Sequence, residues 1–483
     1  MGPFCVEKIN TERIFQMKEN ENRILSLEEM MPDTDYLVSL IEARNYAGFK
    51  YEVEKFPPAD IAEMFGEIPE KYRGGFYRLL PKELASEVFV ELSSELQEEL
   101  IATFTDTELS VVLNELYLDD TVDIIEEMPA SVVKRIIKAS NSENREEINR
   151  LLRYPADSAG TIMTTEYVRF TESMTVEAAL AHIRSVAIDK ETIYTCYITD
   201  DKKHLMGIVT AKELLISDLK TRLGDIMEPS VIFVNTTDDK EEAAMKFRKY
   251  GFLALPVVDN ESRLVGIITV DDAIEVIGEE TEEDFAKMAA IIPSETPYLK
   301  TTAFTIWKQR IPWLLLLMIS ATFSSVILGV FEAALPAVLV IFVPMLMDTG
   351  GNSGAQTSVT IIRGLSVGEV KPKDIPRILF KEFRIGLYCA LTLSVVAFGK
   401  IMLVDRLIMH NESVSLLVGF IVALSLGLTI IMAKLIGASL PIAAKLIGFD
   451  PAVMASPLIT TVVDALSLLL YFFISKSFLP IGL

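Results

Sequence analysis

The sequence predicts a multidomain protein: a cytosolic α-solenoid and an α/β pair, followed by an all-α transmembrane domain of five helices. Three features carry this expectation. A 12-residue repeat runs through 56–139, two similar strand–turn–strand passages lie within 158–278, and the last third holds uncharged apolar runs of up to 21 residues. Charge divides the chain in the same way. The net charge of −23 over 483 residues separates into −27 before Thr301 and +4 after it, the later part holding 13 basic and 9 acidic residues. So acidic a soluble part would repel phosphate, which disfavours a nucleic-acid partner. Cys5, Cys196 and Cys389 are far apart and suit neither a disulfide framework nor a zinc cluster. The opening MGPFCVEKINTER has no apolar signal core, so the first 300 residues are expected in the cytosol. Residues 1–35 stay unassigned.

In the repeat, Phe56-Pro57, Ile68-Pro69, Leu80-Pro81, Leu92-Ser93, Phe104-Thr105, Leu116-Tyr117 and Met128-Pro129 recur every 12 residues. Eight and nine positions after each start the chain is always apolar, from Met64-Phe65 and Phe76-Tyr77 to Ile136-Ile137. Pro, Ser or Thr opens a short helix. One short helix cannot bury its own stripe, so neighbours must stack into a solenoid over residues 36–155.

Within 156–278, the passage Tyr194-Thr-Cys-Tyr-Ile-Thr-Asp200 with Leu205-Met-Gly207-Ile-Val-Thr210-Ala-Lys-Glu213 has a counterpart. It is Ala254-Leu-Pro-Val-Val-Asp259 with Leu264-Val-Gly266-Ile-Ile-Thr269-Val-Asp-Asp272. Each reads as strand, turn, strand and helix start, preceded by a helix near 175–186 or 239–250. The pair resembles tandem CBS domains. That resemblance implies an α/β module which in many cases binds ATP or another adenosyl nucleotide, with Thr269 and Asp272 as the candidate contacts; an empty pair is the alternative. Residues 279–305 then read as an acidic linker helix, opening on Glu279, Glu280, Glu282, Glu283 and Asp284. Acidic residues suit a helix N-terminus electrostatically.

Five apolar runs, 311–331, 333–362, 385–404, 413–433 and 451–475, are long enough to cross a hydrocarbon layer of ~30 Å. Arg363, Lys371, Lys373, Arg377, Lys381 and Arg384 between the second and third runs, and Lys434 and Lys445 in the expected loop after the fourth, mark the cytosolic side. The N-terminus is then inside and the C-terminus outside. Asp348 and Asp464 fall near mid-span, where a carboxylate is costly and by default a functional candidate. Each faces water and a cation, or is protonated and bonded to a neighbouring helix. Gly350, Gly351 and Gly354 allow close helix approach or an opened backbone, with Asn352 and Gln356 among them.

The order of these parts resembles the MgtE family of magnesium channels and transporters. The resemblance rests most on RYPADSAGTIMT (153–164), PMLMDTGGNSGAQTS (344–358), RGLSVGEV (363–370) and LIGFDPAVMASPLITTVVD (446–464). It implies a homodimer in the cell membrane with a cation pore lined by spans two and five of the domain at 306–483. It also implies Mg²⁺ as both cargo and regulator, with Asp464 of the Thr461-x-x-Asp464 element on the permeating ion and Asn352 and Asp348 nearby. Asp119, Asp123, Asp272, Glu275, Glu283, Asp284 and Asp450 become candidate regulatory ligands, although Glu275 stands where the family pattern expects Asp. Transport of Co²⁺ or Mn²⁺, and a membrane-anchored nucleotide sensor, are the alternatives. The three histidines are scattered and no nucleophile–base constellation occurs, so no enzyme is expected.

Overall fold

The structure is a computed structural model describing residues 33–187, 190–293, 298, 301–332, 335–454 and 456–479. It divides into two compact units, one ending at Ile274 and one beginning at Glu275. Cys5, with the rest of the N-terminal segment before residue 33, lies outside the described residues.

Among the described residues, the first unit opens with ten short helices from Thr34–Glu42 to Ser142–Leu151. The repeat acts one position earlier than a first-turn proline would: Pro57, Pro69, Pro81, Ser93, Thr105, Tyr117, Pro129 and Asn141 are the N-cap residues. Their extended backbone ends one helix and starts the next. Thr105 adds a reciprocal capping box with Glu108. The paired apolar positions are buried as the repeat requires, with Phe65, Phe76, Val88 and Phe89 fully sequestered. Helices two places apart pack on each other, Pro58–Phe65 on Lys82–Val90 and Leu118–Glu127 on Ser142–Leu151 among them. Aromatic rings run along the core, Phe49 to Phe76 at 4.8 Å, Phe76 to Phe65 at 5.1 Å and Tyr77 to Phe104 at 5.2 Å.

Two three-stranded sheets of the same topology follow. In β1 (Tyr167–Phe170), β2 (Thr192–Thr199) and β3 (Leu205–Thr210) the first pair is parallel and the second antiparallel. The arrangement repeats in β4 (Val234–Asn235), β5 (Ala254–Val258) and β6 (Leu264–Thr269). The duplicated glycines have one cause. A Cβ at Gly207 would meet Met227 Sδ at 2.8 Å, and one at Gly266 would meet Met163 Sδ at 2.6 Å. The Thr-x-x-acid element caps a helix in both copies: Thr210 with Glu213, and Thr269 Oγ1 donating to Asp272 Oδ2 at 2.6 Å. The helix expected at 279 begins earlier, running unbroken as Val270–Met288 directly from β6.

Among the described residues, the second unit carries five helices long and apolar enough to cross a membrane, Ala303–Val330, Ala337–Ser366, Pro372–Ile408, Leu416–Leu446 and Pro451–Phe478. Spans three and four outrun their apolar stretches. Lys434 is therefore not a loop residue but a buried side chain inside Leu416–Leu446, because the helix continues to Leu446. Span three ends in a π-helical segment, Ile401–Ile408, whose wider turn brings Lys400 against Asp405 five residues on, with Nζ–Oδ distances of 2.8 and 3.0 Å.

Glycines set how close the spans come. Span two stays helical through Gly350, Gly351 and Gly354, so these residues serve packing rather than an opened backbone. A Cβ at Gly350 would sit 2.7 Å from Thr429 Cγ2 of span four, and one at Gly437 would collide with the Gly354 carbonyl oxygen. Gly437→Val should cost about 1–3 kcal/mol or more from forced overpacking. Thermal melting of the detergent-solubilised protein should fall accordingly, and an unchanged melting temperature would remove this crossing as a packing constraint.

Candidate functional site

Span two presents two faces. Gly350, Gly351, Ser353, Gly354, Thr357 and Ser358 are buried against other spans. Asp348, Asn352, Gln356 and Thr360, four residues apart, form an exposed polar stripe. Four-residue spacing keeps them on one side of an α-helix. Asn352, Ala355, Gln356, Val359 and Thr360 line one shallow groove there.

Asp464, on the helix Ser456–Phe478, is half-buried beside this wall. A Cβ at Gly351 would lie 3.6 Å from Asp464 Oδ1 and 3.1 Å from Thr460 Cγ2. Glycine thus lets the carboxylate lie close to the backbone of span two. Asp348 and Asp464 stand on two helices that pack against each other. Two like charges and a row of amide groups, on small-residue helices, suit a hydrated cation; an apolar core would exclude them.

On the helix Val270–Met288, Lys287 Nζ lies 2.7 Å from Glu283 Oε1 and 2.7 Å from Asp450 Oδ2. Burial alone would lower this ammonium's pKa, but its bonds to Asp450 and Glu283 outweigh burial and hold it above the ordinary value. Asp284 accepts from Ser366 Oγ at 2.8 Å, and burial raises its pKa. Asp450 Oδ1 also caps the short turn Pro451–Met454 by accepting from Ala452 N–H at 2.8 Å. Glu275 is exposed on the same helix.

A second acidic group lies within the first unit. Asp119, on helix Leu118–Glu127, is only 5% exposed, and its Oδ1 has no hydrogen-bond partner among the described residues. Desolvation, then Asp120, Asp272, Glu191 and Asp123, push its pKa well above the usual carboxylate range. Asp120 is raised to about 7, chiefly by burial and then by Asp272. Glu191 is raised to about 8, by burial and then by Asp120. Asp272 is raised by burial, against its bonds from Thr269. Of the sequence candidates, Asp119, Asp123 and Asp272 come together here. Asp120 and Glu191 escaped the sequence reading, since Asp120 passes for a solvated neighbour of Asp119 and Glu191 belongs to no motif.

Among the described residues, no three His, Cys, Asp or Glu side chains stand close enough to ligate one ion directly. The donors are oxygens only, which suits a hard divalent cation that keeps its waters. The orphaned Asp119 oxygen fits a water-mediated contact to such an ion.

Comparison with known proteins gives three family matches: the MgtE divalent cation transporter region at 343–474, the MgtE intracellular N domain at 56–157, and CBS domains at 159–219 and 223–279. The magnesium transporter MgtE of Thermus thermophilus is 37% identical over 88% of this chain and 93% of its own length. That of Bacillus subtilis is 34% identical over 92% and 96%. The chain belongs to the MgtE family. It is an integral membrane transporter rather than an enzyme, with an intracellular N-terminal domain and a CBS pair. Among solved structures, the cytosolic domain of the Mg²⁺ channel MgtE in complex with ATP is 39% identical, covers 50% of this chain and 99% of that one, and has a TM-score of 0.47. The soluble part of a magnesium transporter is 30% identical, covers 53% and 99%, and has a TM-score of 0.49.

The acidic group predicts a pH dependence. Unfolded carboxylates release their protons near pH ~4, but Asp120 and Glu191 hold theirs to about 7 and about 8 when folded. Over that window the folded state binds more protons, so stability falls as pH rises. The metal-free protein should melt at a higher temperature near pH ~5 than near pH ~8. Added Mg²⁺ should restore more at the higher pH, since protonated carboxylates are poor cation ligands. Equal Mg²⁺ effects at both pH values would count against this group as a cation site.

Proposed function

We propose that this MgtE-family protein is a channel-like magnesium transporter. It admits Mg²⁺ to the cytosol down its electrochemical gradient, and cytosolic Mg²⁺ closes it. One observation carries this reading: Asp464, an intramembrane carboxylate, lies half-buried against Gly351 of span two, the helix whose exposed face bears Asp348, Asn352 and Gln356. The names of the most similar relatives support the choice of ion.

Mg²⁺ gives up its waters reluctantly and is usually held through one or two carboxylates. In a homodimer, a two-fold axis would set two copies of Asp464 across one path. The pair would hold the hydrated ion by charge, Asn352 would touch its waters, and Asp348 would gather cations toward it. Weak, water-mediated binding also permits release, which conduction requires. Moving two charges inward through 100 mV gains about 4.6 kcal/mol, so the gradient can drive uptake. With the N-terminus inside, five spans put the C-terminus outside.

Regulation follows from the acidic groups. Asp119, Asp123 and Asp272 would draw Mg²⁺ to the cytosolic part because each added positive charge relieves mutual repulsion, and Glu275 is a further candidate ligand on the helix Val270–Met288. Glu283, Asp284 and Asp450 would form a second region, where Lys287 already supplies one positive charge. A cation there competes with that ammonium.

Two measurements test the reading. Mg²⁺ uptake in cells lacking other magnesium systems should be lost in Asp464→Ala at equal membrane abundance. Uptake at wild-type rate would end the pore assignment. With the double substitution Asp119→Ala and Asp272→Ala, uptake should persist at cytosolic Mg²⁺ levels that silence the wild type; normal shut-off would end the feedback assignment. Competition by Co²⁺ and Mn²⁺ in the same uptake measurement decides the preferred ion.

A further inference from the structure

Behind the polar stripe of span two lies a buried charge pair that the apolar pattern hides. Glu382 of span three is 8% exposed and Lys434 of span four 5%, and between them stands Thr357 of span two at 3%. Thr357 Oγ1 makes two bonds to other spans, donating to Glu382 Oε2 at 3.1 Å and accepting from Lys434 Nζ at 3.4 Å, and has the Ser353 carbonyl of its own helix as a second, longer acceptor at 3.4 Å. A hydroxyl has one proton and two lone pairs, so it can join an anion to a cation in this way. Both charged groups are nearly buried, so removing one partner would leave the other poorly compensated.

The surroundings bring the three helices to the joint. A Cβ at Gly386 of span three would lie 3.7 Å from Lys434 Cδ and 3.3 Å from Ile431 Cα, so glycine is what lets span three approach this closely. One turn from Thr357 on span two and one turn from Lys434 on span four, Gly354 and Gly437 meet backbone to backbone. Span two is thus held at two successive turns, once by shape and once by charge. A helix clamped only by small residues can still roll; rolling span two would break both bonds of Thr357.

We propose that Thr357, Glu382 and Lys434 are positioning residues for permeation. They fix the rotation of span two, hence the direction of Asn352 and Gln356, and so set the discrimination among hydrated divalent cations. This rests on the reading of span two as a pore wall. None of the three belongs to the polar stripe, so their effect on the ion is indirect. A displacement of about 1 Å in a positioning group is enough to change a rate by orders of magnitude.

The test is uptake of Mg²⁺ and of Co²⁺ by the full-length protein in proteoliposomes, per inserted molecule, together with its melting temperature. Thr357→Val keeps the shape but loses both bonds. It should lower the Mg²⁺-to-Co²⁺ uptake ratio about tenfold, the scale of a small misplacement. Thr357→Ser should keep the ratio. The double variant Glu382→Gln with Lys434→Met removes both charges, should melt close to wild type, and should still show the altered ratio. A wild-type ratio in Thr357→Val, or a wild-type ratio with wild-type melting in the double variant, overturns the proposal. If Thr357→Val does not insert, the serine and double variants decide by the same ratios. Asp464→Ala run alongside separates the two readings. If it conducts as wild type, the pore wall itself is misassigned; if it is silent while the Thr357 series keeps the wild-type ratio, only the positioning role falls.

Discussion

The cost of keeping a charge in hydrocarbon orders the whole second unit. Every ionisable group within or beside the spans needs a partner or water. Lys400 meets Asp405 across a π-helical turn, and Lys434 meets Glu382 through the Thr357 hydroxyl. Asp464 makes no ion pair among the described residues and stands beside the polar stripe of span two. The compensated charges hold helices together there, and Asp464 is the carboxylate on which the proposed cation path rests.

The cytosolic side inverts the problem. Its charges have water available, yet several carboxylates are gathered where burial and mutual repulsion hold on to their protons. A folded element that keeps such a group is less stable than it would be with those charges dispersed. What offsets the repulsion is a proton or a cation, and the two compete for the same oxygens. On the proposed function, the ion that is cargo in the membrane would also bind these cytosolic carboxylates without any change in its chemistry.

Much of the architecture was legible in the sequence because it repeats. Twelve-residue spacing exposed the solenoid, and duplicated Gly-x-x-Thr-x-x-acid passages exposed the paired sheets, since each copy must satisfy the same close glycine contact and the same helix cap. Asp464 and Asp348 were legible because a lone charge in an apolar run is conspicuous. Lys434 and Glu382 were not, as they lie where the apolar runs fade and read as loop or flank. Asp120 and Glu191 are widely separated in the chain, and only folding brings their charges together. Lys287 was silent too: nothing in an acidic stretch announces that one lysine will bridge a carboxylate of that stretch, Glu283, to the distant Asp450.

The capping positions from Pro57 to Asn141 fall on a strict count, and several helices pack on the one two places along. Insertion or loss of a single residue between caps would slip every later turn out of phase, whereas a whole pair of repeats could be added or removed with the stacking pattern kept. The ruler that sets where Asp119 arrives is thus a tally of modules, and that aspartate can be displaced along the stack only in whole repeats.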